Sequence, residues 1–290
     1  MEITRTLPHP TLRGVVRSFG ERRGTLGPTE RSWPLTVRPH QIIDIFLKEP
    51  LRFQIEERNL QRSPEEVVVG PQVSRRAQIY VSGDELHTFN ILFQPAGLNR
   101  LIGIDMTSLV NKGVAARDIL GKHAIPLIDA VRSAPNFSSR VAAAERWLGI
   151  MLNGSAAEDG IGVASRLLIA TRGRAGIGAL IERSGLSARH FQRRFSAQIG
   201  LAPKFYARTI RFDAALSAHR RDPTRTWTEI AHEAGYFDQA HFVRECHALL
   251  GAPPSQFIGD WENVFRNGTP LDGYFPLMAE TYKRAHPAHS

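Results

Sequence analysis

The chain has one cysteine, Cys246, among 290 residues. A single thiol excludes an intrachain disulfide and any cysteine-rich zinc site. No apolar run approaches the roughly 20 residues that a membrane-spanning helix needs. The N-terminal residues lack the apolar stretch of a signal peptide, so a cytoplasmic protein is expected, nucleoid-associated if it binds DNA. Also missing are a glycine-flanked serine elbow, a P-loop and a dinucleotide fingerprint. His190, His232, His241 and His247 lack the paired spacing of a metal site, and His9, His40, His87 and His123 are scattered. The expectation is therefore no metal, no cofactor and no catalytic residue. Glu65-Glu66 and Asp84-Glu85 fall in turn-like contexts and read as solvated carboxylates. Acidic residues are the minority, 28 against 37 Lys and Arg, giving a net charge of +9 and a pI near 10.3. That balance points to a polyanionic partner. Arginines fall in both halves (Arg22, Arg23, Arg75 and Arg76; Arg193, Arg194, Arg220 and Arg221), so charge does not say which half binds.

One pattern occurs twice. Leu180, Ile181, Gly185 and Leu186 recur as Ile230, Ala231, Gly235 and Tyr236, a shift of 50. Phe191, Arg193, Phe195, Gly200, Pro203 and Tyr206 recur as Phe242, Arg244, Cys246, Gly251, Pro254 and Phe257, a shift of 51. One residue is therefore inserted between the turn glycine and the inward phenylalanine, and the second helix starts later after its turn. Such a repeat marks one supersecondary unit built twice. Each copy predicts two short helices around a tight turn, at about 177–198 and 227–249, a unit that places a helix in a DNA groove.

Gly185 and Gly235 supply the left-handed turn conformation. Ser187 and Asp238 suit the N-caps of the helices that follow, and Thr226 with Glu229 has capping-box spacing. Phe191 and Phe195, like Phe242 and Cys246, stand four apart and face inward. The outward residues are then Arg189, Gln192, Arg193 and Ser196 in the first unit, and Gln239, His241, Val243 and Arg244 in the second. Arg and Gln suit bidentate contacts with guanine and adenine edges, and Val243, if exposed, suits a thymine methyl; a partly buried Val243 is equally open. Cys246 reads as a small buried hydrophobe in preference to a redox switch. A helix from Pro203 to about His219 spans roughly 25 Å. That rod would hold the two recognition helices in successive major grooves, or favour a bent site.

These residues resemble the DNA-binding domain of the AraC/XylS family of bacterial transcription regulators, over residues 161 to 258. The first unit matches in Gly185-Leu-Ser187, Phe191-Gln-Arg-Arg-Phe195, Gly200, Pro203, Tyr206 and Arg211-Phe212. The second matches in Ile230-Ala231, Gly235-Tyr236, Asp238-Gln239, His241-Phe242 and Arg244. The resemblance implies that Arg189, Gln192 and Arg193 contact one groove and Gln239, Val243 and Arg244 the next. It also implies double-stranded promoter DNA and RNA polymerase as partners. Two positions depart from the family pattern: Cys246 replaces a usual phenylalanine, and His247 a usual lysine or arginine.

The first half has strand character at Gln41–Leu47, Leu51–Ile55, Val67–Val69, Ala77–Val81 and Leu86–Phe93. Ser82-Gly83-Asp84-Glu85 predicts a hairpin between the last two. Short helices are expected from about Pro95 to Arg132. Helical spacing then returns with Val141, Ala144, Leu148 and Met151 inward, and again with Ile161, Ala164, Leu168 and Ile169. Phe93-Gln-Pro-Ala-Gly97, Trp33-Pro34 and Ile42-Ile-Asp-Ile-Phe46 resemble, more faintly, the β-rich sensor domains of some members of the same family. The expected fold is α+β in two domains: an N-terminal, mostly antiparallel, barrel-like β domain with short helices, and a C-terminal all-α double helix-turn-helix. The boundaries drawn are 1–137 for effector sensing or dimerisation, 138–157 for a linker helix, 158–265 for DNA binding, and 266–290 for a partly disordered tail. The N-terminal domain reads as the site of a small-molecule effector or a homodimer contact, with no ligand residues assignable. The alternatives are a protein-interaction module without a small ligand, or an enzyme domain fused to a DNA-binding module.

Overall fold

The computed structural model describes residues 2–25, 30–35, 37–55, 59–73, 77–81, 85–153 and 158–256. The tail at 266–290 and Phe257 lie outside the described residues. Ten strands come first: β1 (Glu2–Thr6), β2 (Val16–Thr25), β3 (Arg31–Leu35), β4 (Ile42–Phe46), β5 (Arg52–Ile55), β6 (Gln61–Arg62), β7 (Glu66–Val69), β8 (Ala77–Val81), β9 (Glu85–Phe93) and β10 (Gly113–Ala115). They form a six-stranded sheet, in order β1-β2-β9-β4-β7-β10, and a four-stranded sheet, in order β3-β8-β5-β6. Every pairing is antiparallel.

The hairpin expected between β8 and β9 does not form. β9 pairs with β2 and β4 in the large sheet, whereas β8 pairs with β3 and β5 in the small one. The physical reason lies in β9, which is buried from Leu86 to Phe93 and therefore needs cover on both faces. Its Phe89, Ile91 and Phe93 join the core under the helices, and Leu86 and Leu92 face the small sheet. β4 divides the same way, with Ile43 and Ile45 on the helix side and Ile42 and Phe46 on the other. Two-sided burial removes the one-faced alternation that marks a half-exposed strand. Glu66 is another correction: it is buried, not solvated, and accepts from Arg117 at 2.6 Å and Arg132 at 3.2 Å.

Helices α1 (Gly97–Ile102), α2 (Ala116–Leu120), α3 (Ala124–Ser133) and α4 (Phe137–Leu152) cover the large sheet. In α4, Ala144, Trp147 and Leu148 are buried in that core, with Val141 and Met151 half-buried beside it. Six more helices follow: α5 (Gly160–Ala170), α6 (Ile177–Ser184), α7 (Ala188–Ile199), α8 (Pro203–Arg221), α9 (Trp227–Glu233) and α10 (Gln239–Leu250). The antiparallel β region and the helical C-terminal region are thus those the sequence predicts.

The two regions meet along α7 and α8. Gln41 donates its amide to the carbonyls of Ile199, at 3.2 Å, and Gln198, at 3.5 Å, capping the C-terminal end of α7. Gly200 follows with φ +89°, and a Cβ there would lie 2.9 Å from the Met106 carbonyl oxygen. Gly251 makes the same turn in the second unit with φ +82°, and among the described residues nothing lies within 4 Å of a Cβ built there. Alanine at Gly251 should therefore cost only the left-handed penalty, about 1–2 kcal/mol. Gly200→Ala adds the clash and should cost about 1–3 kcal/mol more. Urea unfolding of the two variants measures the difference; equal losses would mean that the seam beside Met106 gives way freely.

Candidate nucleic-acid interface

In the first unit the chain leaves α6 through Gly185, at φ +67°, and enters α7 at Ser187, whose hydroxyl accepts from the His190 amide at 3.4 Å. Phe191 and Phe195 are fully buried, with ring centroids 5.7 Å apart, and Phe195 meets Tyr206 of α8 edge-on at 5.6 Å. This aromatic stack fixes the roll of α7 and leaves Arg189, Gln192 and Arg193 exposed. Ser196 is half-buried at the rim of that face. Arg194 points elsewhere: with Gln198 it donates to one oxygen of Asp159, at 2.5 and 2.6 Å. The other oxygen of Asp159 caps α5 through the amides of Ile161 and Gly162. One carboxylate thus pins the recognition helix to the helix behind it.

The second unit repeats the scaffold. Thr226 and Glu229 close a reciprocal capping box at the start of α9. Gly235, at φ +81°, makes the turn, and Asp238 caps α10 by accepting from the His241 amide at 2.6 Å. Phe242 is fully buried among Tyr236, Trp227 and Phe212, at 5.2, 5.3 and 6.1 Å between ring centroids. Gln239 and Arg244 are exposed. His241 is half-buried edge-on to Tyr236 at 5.3 Å, and Val243 is half-buried too. Cys246 is wholly buried, and burial, followed by the charge of Glu245, pushes its thiol up to about 12.

Two positions escaped the sequence reading. Glu245 is buried on the inner face of α10 and accepts both arms of the Arg208 guanidinium from α8, at 2.9 and 3.0 Å. Its place in the stripe Phe242, Glu245, Cys246, Leu249 marks it as an inward charge, and an inward charge needs a partner. Asp159 is the second, recognisable as the N-cap before the apolar run of α5.

Compared with protein-family models, residues 180–259 match a helix-turn-helix domain. The C-terminal part of the chain thus contains a helix-turn-helix domain, the unit that the repeated motif predicts. Domains of this type bind double-stranded DNA. Among solved structures, the chain is similar to ToxT from Vibrio cholerae O395, with 10% identity, TM-score 0.47, and coverage of 83% of this chain and 97% of that one. It is also similar to wild-type ToxT from strain SCE256 bound to an unsaturated fatty acid, with 11% identity, TM-score 0.45, and coverage of 83% and 94%. No curated protein matches the sequence. Among the described residues no helix is long and apolar enough to cross a membrane, and no group of three or more His, Cys, Asp or Glu gathers to hold a metal ion.

The β region holds a cavity of about 90 Å³ between its two sheets, which no sequence motif announced. Ile42, Phe46, Val67 and Leu92 line it from the large sheet, Phe53 and Ile79 from the small one, and Arg38, His40 and Gln72 bring polar groups to its wall. Burial, then the charges of Arg17 and Arg38, push the His40 pKa from 6.5 down to about 3. The folded protein therefore keeps His40 neutral where the unfolded chain would protonate it. Its contribution to stability is complete above pH 6.5 and is lost as the pH falls from there towards 3. Acid titration of the unfolding free energy should show this limb in the wild type and a flatter one in His40→Gln; identical limbs would remove His40 from the account.

Proposed function

We propose that the protein is a sequence-specific DNA-binding transcription regulator that reads an extended, asymmetric site with α7 and α10. The observation that carries this reading is the pair of exposed faces, Arg189, Gln192 and Arg193 on one helix and Gln239 and Arg244 on the other, set on one repeated scaffold. Ser196, His241 and Val243, half-buried, stand at the rims and would make closer-range contacts once DNA is seated. Arginine and glutamine at these points match guanine and adenine edges, and the net charge of +9 favours the phosphate backbone. Helix α8, 19 residues long, spans about 28 Å and spaces the two faces at nearly one turn of DNA. Bound at a promoter, the protein would act on RNA polymerase.

Selection from random DNA with the full chain should enrich two unlike half-sites about one helical turn apart. Arg193→Ala and Arg244→Ala should each weaken that site by about 1–3 kcal/mol and relax one position of it. A loss equal on every sequence, with the salt slope reduced by about one, would reassign that arginine to a phosphate.

The cavity between the sheets supports a second element of the proposal, a small effector bound by residues 1–137. At about 90 Å³ it is well below the roughly 300–1,000 Å³ of ordinary ligand pockets. The effector is accordingly small and mostly apolar, with one polar end towards Arg38, His40 and Gln72. The small volume also favours the competing view that this region is a protein-interaction module, as a homodimer contact or otherwise. A molecule that fills the cavity at about 100 times its Kd should stabilise the fold by about 2.7 kcal/mol, seen as a raised melting temperature, and should alter DNA affinity. If no small apolar molecule shifts the melting temperature, the interaction module becomes the better account.

A further inference from the structure

The residue inserted in the second unit is Phe237. Gly185 and Ser187, the turn and cap of the first unit, are separated by Leu186 alone, whereas Gly235 and Asp238 are separated by Tyr236 and Phe237. Leu186 and Tyr236 both turn into their cores. Phe237 has no counterpart, and it is 87% exposed, the most exposed of the large hydrophobic residues among those described.

A hydrophobic residue just before a helix N-cap ordinarily packs on the fourth residue of the helix. That residue here is Phe242, and it is already enclosed by Tyr236, Trp227 and Phe212. The staple position is occupied, so the Phe237 ring serves no packing role among the described residues. Single exposed apolar residues are common and need no explanation by themselves. Phe237, however, stands at the N-terminal end of a recognition helix, the end whose residues meet base edges. Gln239, the first residue of that helix, is exposed but accepts from the Thr228 hydroxyl of α9 at 2.8 Å, and Ala240 after it is exposed and carries only a methyl. On the other side of the same turn lies the exposed Arg174, whose Cδ would be 3.2 Å from a Cβ on Gly235. Its Nε donates to the Thr171 carbonyl at 3.3 Å, which holds the arginine beside the turn, and a phosphate contact from there would set the register in which an adjacent ring reaches the groove floor. The apolar group available there is the C5-methyl of thymine.

We infer that Phe237 is a specificity-determining residue that packs on a thymine methyl at the edge of the half-site read by α10. The inference rests on the DNA-binding function proposed above. It assigns to the insertion a contact that the first unit lacks.

The test uses the full chain and the DNA site enriched by selection, with each thymine of the α10 half-site replaced in turn by deoxyuridine. That change removes the methyl and keeps every hydrogen-bonding group. One replacement should weaken the wild type about fourfold, the loss expected for one buried methyl. Phe237→Ala should bind the thymine site about as weakly and be indifferent to that replacement, while Phe237→Met should recover part of the sensitivity and Val243→Ala should keep it. Thermal unfolding of Phe237→Ala should match the wild type. Wild-type affinity in Phe237→Ala, or a loss accompanied by unchanged sensitivity at every thymine, overturns the assignment while the DNA-binding function stands. A wild type that enriches no sequence sinks that function, and this assignment with it.

Discussion

What the C-terminal half depends on is a rotational constraint. Two side chains four residues apart on each recognition helix are driven into an aromatic core, and burying a phenylalanine is worth about 2–3 kcal/mol. Phe191 and Phe195 do this for α7, and Phe242 with Cys246 does it for α10. Once those positions are inside, the helix cannot turn about its axis, and Gln192, Arg193 and Arg244 are left on the outer face. The glycine turns and the caps at Ser187 and Asp238 then fix where each helix begins. Asp159 and Glu245 add ionic pins from behind, so the outward faces are presented by a frame that is already full.

The same constraint explains what could be read in advance. In the helical half the turns, caps and inward positions are set locally: capping residues lie three apart, inward residues four apart, and the turn glycines adjoin the helices they end. Such patterns survive in a bare sequence, and Gly185, Ser187, Gly235 and Asp238 occupy the turns and caps predicted for them. The β half is built from distant pairings. β2 carries Arg17 and Arg22, both buried, so its run of charges hides a central strand. Arg22 pairs with the equally buried Asp44 at 3.0 Å, a partnership between residues that nothing in the sequence brings together. β8 and β9 are separated by three residues and still belong to different sheets, because β9 needs β2 and β4 on its flanks more than it needs its neighbour. The cavity was invisible for the same reason, since its wall is gathered from both sheets.

The seam between the halves is polar at one end and apolar at the other. Arg17 is buried near Tyr206 and Asp213 of α8; burial lowers its pKa from the usual arginine value, and the charge of Asp213 partly offsets that. Gln41 meets the carbonyls that end α7, and Ala96 and Val110 pack with the core of the first unit. The β region thus grips α7 at its C-terminal end, away from the exposed residues nearer the start of that helix. A shift in the sheets would reach the recognition helix as a change of tilt, with its face left uncovered.

The two-armed pairing of Arg208 with Glu245 ties the connecting rod to the second recognition helix, and so bears on spacing as well as on stability. A guanidinium held by both arms fixes an angle as well as a distance. The pairing opposes a swivel of the second unit on the rod. One extra base pair between the half-sites would carry the second away by roughly 35° around the duplex axis. Under the proposed function, the number of base pairs between the two half-sites becomes part of what the protein reads.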